Sequence, residues 1–155
     1  MQWITRERPK IDRVACPWLV ARFIDQEAEF IFAPAPDVER RARELGATPF
    51  DVEGAELSHV GPLCTFDAFL AKYRLDDPAL QQIAVMVRGA DTARFDLAPE
   101  APGLLAFSLG LSHIIRDDHE QLRQGFVFYD ALYAWCREVH TETHTWNPQR
   151  RPAVR

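Results

Sequence analysis

The spacing of apolar residues changes along this chain, from short bulky runs in the first third to helical periodicity after residue 64. Trp3 to Thr5 is β-prone and reads as a short edge strand. Glu29 to Ala33, EFIFA, is bulky and bounded by Pro34 and Pro36, which favours a buried strand. Asp37 then suits a helix cap, and VERRARELG predicts a charged-faced helix ending at Gly46. Thr48 to Val52 gives a third β-prone piece, and the segment from Glu53 to Leu63 is irregular because Gly54, Gly61 and Pro62 break either period.

Beyond it the pattern is helical. Thr65 can cap a helix with Asp67 in its first turn, and Asp77-Pro78 is a capped start whose apolar face, Leu80, Ile83, Ala84 and Val87, runs to a stop at Gly89. Pro99-Glu100 opens a helix that is apolar around its circumference, the signature of a central core element. Asp118 and Gln121 form a variant capping box before a last helix carrying Leu122, Phe126, Tyr129, Tyr133 and Cys136 at three-or-four spacing. The expected class is α+β, predominantly helical: a small sheet of about three short strands packed with five or six helices, in one domain over 1–148 with a flexible tail at 149–155.

One stretch combines chemistry with a helix start. Arg6, Arg8, Lys10 and Arg13 precede a helix expected to begin at Cys16-Pro17, since proline is tolerated at the first helical position. Unpaired backbone N–H groups at such a start favour an anion, and a cysteine there has a lowered pKa. The plainer alternative is a packed cysteine and a solvated basic surface.

Composition narrows the classes. A chain of 155 residues can bury about 70% of its unfolded surface in one core. The net charge of −5 argues against a nucleic-acid platform, so no direct DNA binding is expected. Cys16, Cys64 and Cys136 lie far apart without a CxxC, as in a reducing compartment. MQWITRERPK has no apolar run and no stretch is long enough to span a bilayer, so a cytoplasmic location is expected.

Three chemistries remain open. Arg6, Arg8, Lys10 and Arg13, joined by Arg88 and with Asp12 and Asp91 nearby, have the donor types that hold a tetrahedral oxyanion. A divalent metal ion could be held by His59, Cys64 and Asp67, with Asp12, Asp91 or the late His140, Glu142 and His144 adding ligands. Cys16 and Cys64 could form a thiol redox pair. No nucleotide or flavin fingerprint is present.

RPKIDR-V-ACPWLVARFID, FDVEGAELSHVGPLCTFD, VRGADT, GLLAFSLGLS and YDALYAWCR resemble the C-terminal domain of the ChrB chromate-resistance proteins, from about Trp3 to Trp146. The resemblance implies a role in bacterial chromate stress. Longer members carry an additional N-terminal region and are described as chromate-responsive regulators, and DNA binding is not carried over from that region. A ligand-sensing or accessory module that binds an oxyanion or metal is the resulting expectation, with a homodimer or regulator partner conceivable. The competing expectation is a metal-dependent or thiol enzyme using His59, Cys64 and nearby carboxylates.

Overall fold

A computed structural model gives the fold and describes residues 1–139 and 141–143. Three parallel strands, β1 (Gln2–Arg6), β2 (Glu29–Ala33) and β3 (Thr48–Pro49), lie in the order β2-β1-β3. β1 pairs Trp3 with Phe30 and Ile4 with Ile31 on one side, and Trp3 with Thr48 on the other. It is therefore the central strand rather than the expected edge. Trp3, Ile4 and Thr5 are all buried, as a strand covered on both faces requires.

Alternation sends neighbouring side chains to opposite faces. Ile4 packs with Ala33, Val38 and Ala42 beneath α2 (Val38–Leu45), whereas Trp3 enters the main core with Phe50, Phe66 and Phe69. That core is built by α1 (Asp12–Leu19), α3 (Thr65–Tyr73), α4 (Pro78–Asp91), α5 (Ala101–Ile114) and α6 (Asp118–Ala134). The predominantly helical α+β expectation matches this architecture. No helix of the described residues is long and apolar enough to cross a membrane.

Several boundaries differ from the sequence reading, each for a physical reason. α1 starts at Asp12, because Ile11 takes a left-handed φ of 37° and its carbonyl accepts the N–H groups of Val14 and Ala15. Pro17 thus lies inside the helix, which continues as a π-helical turn over Val20–Ile24. α4 runs past Gly89 to Asp91. A Cβ at Gly89 would lie 2.9 Å from the Ala101 Cβ, so this glycine permits close approach of α5 instead of ending α4. α5 itself is not a central element: Phe107, Leu109 and Ile114 remain exposed.

Candidate metal centre

Beyond the C-terminal ends of the parallel strands, four segments converge. Asp12 is the first residue of α1, Asp51 follows β3, His59 sits in the irregular 53–63 segment, and Asp91 is the last residue of α4. Asp12 is 1% exposed, and its Oδ2 accepts the Thr65 N–H at 2.7 Å while Oδ1 accepts the Phe66 N–H at 3.3 Å. Those donors are the free N–H groups at the start of α3, where helix polarity favours a carboxylate. Asp91 has the opposite setting. A carboxylate at a helix C-terminus faces the negative end of the dipole and calls for a cation.

His59 Nε2 lies 3.0 Å from Asp91 Oδ2, 3.5 Å from Asp12 Oδ2 and 3.6 Å from Asp51 Oδ1. One donor atom each from Asp12, His59 and Asp91 lies within 4.8 Å of the others. Ligands about 2.1 Å from a tetrahedral ion stand about 3.4 Å apart, close to the measured separations from the imidazole. Asp51 is anchored separately: Oδ1 accepts the Thr65 hydroxyl at 2.8 Å, and Oδ2 meets Arg6 at 2.8 Å and Arg13 at 3.3 Å. Asp51 and His59, but not Asp12 or Asp91, line a cavity of about 500 Å³ together with Arg6, Glu39, Glu53 and Ser58 and apolar residues beside them.

Crowded carboxylates leave an electrostatic signature. Burial raises the Asp12 pKa, as does the Asp51 charge, against hydrogen bonding to His59 and the Thr65 N–H. Asp91 is pushed up to about 6 by burial and by the charges of Asp12 and Asp51. His59 rises to about 9, first through its hydrogen bond to Asp12, with the charges of Asp12, Asp91 and Asp51 adding to it against partial burial. Asp91 is nearer, but Asp12 is the buried carboxylate and the less screened. A carboxylate-rich pocket that lifts all three groups in this way favours added positive charge.

The other expected site residues separate. Arg8 turns away to the C-terminal end of α5, donating from Nη1 to the Ile115 and Arg116 carbonyls at 3.2 and 3.1 Å and from Nη2 to the Ser112 carbonyl. Lys10 is exposed on that side. Arg13 also donates to the Arg6 and Glu7 carbonyls, and Arg88 pairs with Asp67 at 3.1 Å. Asp67 accepts the Cys64 N–H at 3.0 Å as part of the α3 cap, so the cap residue is Cys64 and not Thr65. Among the described residues neither Cys64, Asp67 nor exposed Glu142 joins the His59 group, and His144 and the 149–155 tail lie outside them.

The activated-thiol argument loses its basis. Cys16 is fully buried within α1 instead of at its start, and burial with the nearby Asp12 charge drives its pKa well above the usual value. Cys64 is likewise pushed up, by burial and by Asp12 and Asp67. The residue that sequence reasoning missed is Asp51. Its local signal was weak, a carboxylate just after a short β-prone run, and its left-handed φ of 50° became apparent only in the fold.

Residues 3–136 match the family described as "ChrB, C-terminal domain". The chain belongs to the ChrB family. It is 33% identical over 151 residues to a protein named "Protein ChrB" from Cupriavidus metallidurans, covering 97% of this chain and 42% of that relative. The chain thus spans less than half the length of that ChrB protein. No solved structure matches. The Asp12, His59 and Asp91 group falls within the matched segment.

Proposed function

We propose that this chain is a ligand-sensing module of chromate resistance that binds a divalent cation through Asp12, His59 and Asp91. The observation that carries this reading is the convergence of an imidazole and two carboxylates from three separate segments, with one donor atom of each within 4.8 Å of the others. One imidazole with two carboxylates suits zinc, manganese or iron(II). Direct capture of a tetrahedral oxyanion by the basic leader is less well supported: Arg6 and Arg13 already serve Asp51, Arg8 serves the end of α5, and Glu39 and Glu53 share the cavity wall.

A second reading follows from one further observation. His59, one of the three proposed ligands, lines an open cavity, which would let water or substrate reach an ion held there, as in metal-dependent enzymes. Both readings require the ion first.

Metal analysis of the purified protein, with thermal unfolding in zinc, manganese or magnesium salts after chelation, tests the site. At a hundred times the dissociation constant, a bound ion stabilises by about 2.7 kcal/mol. His59→Ala and Asp91→Asn should each abolish that gain. Equal stabilisation of wild type and both variants sinks the proposal.

A further inference from the structure

We propose that the hollow at the C-terminal end of α5 is an anion site for a small organic phosphate monoester. This goes beyond the cation site and does not rest on it, because the two cavities share no residue. The hollow, about 310 Å³, is lined by Arg8, Lys10, Leu109, Ser112, His113 and Arg116, with no Asp or Glu among them. A helix C-terminus ordinarily repels an anion, since its last carbonyls carry partial negative charge. Here Arg8 removes that obstacle. Its guanidinium donates to the Ser112, Ile115 and Arg116 carbonyls, and its backbone N–H reaches both carboxylate oxygens of Asp118 at 3.2 Å. These contacts hold Arg8 at a left-handed φ of 57° immediately before Pro9, where an extended backbone is favoured. Such strain persists only where the surroundings over-determine it.

With the carbonyls answered by Arg8, the other cations are uncommitted. Lys10, His113 and Arg116 are exposed and form no ion pair among the described residues. The acids next along the chain are held by N–H groups: Asp117 accepts that of Glu120 at 2.7 Å, and Asp118 that of Arg8. Lys10 and Arg116 therefore bring two uncompensated positive charges to one hollow, with an imidazole beside them. That charge matches a dianion. A monocarboxylate or a phosphodiester carries one negative charge, whereas a phosphate monoester carries close to two at neutral pH and offers three acceptor oxygens. Size and the apolar wall select the organic part. A bare tetrahedral ion is small against this hollow and leaves Leu109, 45% exposed, in water. The carbon skeleton of an ester covers that leucine.

Calorimetric titration of the full chain with phenyl phosphate, in chelator so that no metal ion contributes, tests the site. Saturable binding that weakens as salt rises is expected. Lys10→Ala and Arg116→Ala should each lower affinity about tenfold at an unchanged melting temperature, since both side chains are exposed. Arg43→Ala removes an exposed cation from α2 and should leave binding unchanged. Leu109→Ser should weaken the binding of phenyl phosphate and leave that of inorganic phosphate unaffected. Absence of binding at millimolar phenyl phosphate overturns the proposal, as does unchanged affinity in either Lys10→Ala or Arg116→Ala. Inorganic phosphate or sulfate bound as tightly as phenyl phosphate, or a Leu109→Ser protein that binds both probes like wild type, overturns the organic ester. Tighter binding of a single-stranded oligonucleotide replaces the monoester by a nucleic-acid backbone.

Discussion

A cation bound at the proposed site would have to displace a proton from His59, which makes its affinity depend on pH. The imidazole faces Asp12, Asp51 and Asp91, with Arg6 and Arg13 bearing on Asp51 from behind, and its pKa stands at about 9. At pH 7 an ion therefore competes with a proton that is about 99% bound, which lowers apparent affinity about a hundredfold relative to a fully deprotonated imidazole. Affinity should rise about tenfold per pH unit from 7 toward 9. Near pH 6 the dependence should steepen as Asp91, with its pKa of about 6, also takes a proton. Calorimetric titration at pH 7.5 in buffers of different ionisation enthalpy should show about one proton released per ion bound.

The same shift acts on the metal-free protein with a definite sign. A folded-state pKa of about 9, above the ordinary 6.5, stabilises the fold fully below pH 6.5, and that stability is lost as pH rises through 9. The shift corresponds to at most about 3.4 kcal/mol, and exposure of the imidazole reduces it by solvent screening to about 1 kcal/mol. His59→Ala should cost that much at pH 6 and nothing at pH 10. Metal affinity unchanged between pH 6.5 and 9, or metal binding without proton release, refutes the reasoning.

Two other outcomes test the fold around the site. Gly125→Ala should destabilise by roughly 1–3 kcal/mol in chemical denaturation, because a Cβ on α6 runs into Val14 Cγ1 of α1. An unchanged midpoint would rule out that close approach. Thiol titration of the native protein at neutral pH should modify Cys16 and Cys64 only at the rate of unfolding, since both are fully buried, whereas Cys136 borders a surface cavity; rapid labelling of Cys16 would revive it as an accessible thiolate.

Local patterns were sufficient for elements that satisfy themselves locally. EFIFA, followed by Pro34 and Pro36, became β2, though as a half-exposed edge strand instead of the expected buried one; VERRARELG became α2 with Gly46 at φ 64°, and Asp77-Pro78 opened α4 with Asp77 accepting the Ala79 N–H. Elements whose boundaries depend on neighbours were less legible. Pro17 suggested a helix start, but the turn at Ile11 and the docking of Asp12 onto α3 place that start earlier. Gly89 suggested a stop until α5 came to lie against it. The apolar circumference of α5 suggested burial, because composition cannot reveal that one side has no neighbour within the chain.

The site divided in the same way. His59, Asp12 and Asp91 were each metal-ligand types in the sequence, and their grouping joins segments far apart in the chain, which no spacing encodes. Arg6 and His59 do border one cavity, whereas Arg8 and Lys10, two and four residues further on, face α5. A left-handed φ of 57° at Arg8 turns the leader at that point, so cations close in sequence face two different cavities.

The two arginines on Asp51 set the sign of the field that an ion would leave behind. In formal charge, the carboxylates of Asp12, Asp51 and Asp91 are balanced by the guanidiniums of Arg6 and Arg13 and the imidazolium of His59. Exchanging the imidazole proton for a doubly charged ion makes this group positive by one. A cation at the proposed site would thus make the field more favourable to a negatively charged ligand than it is in the metal-free protein, against the Glu39 and Glu53 carboxylates of the cavity wall.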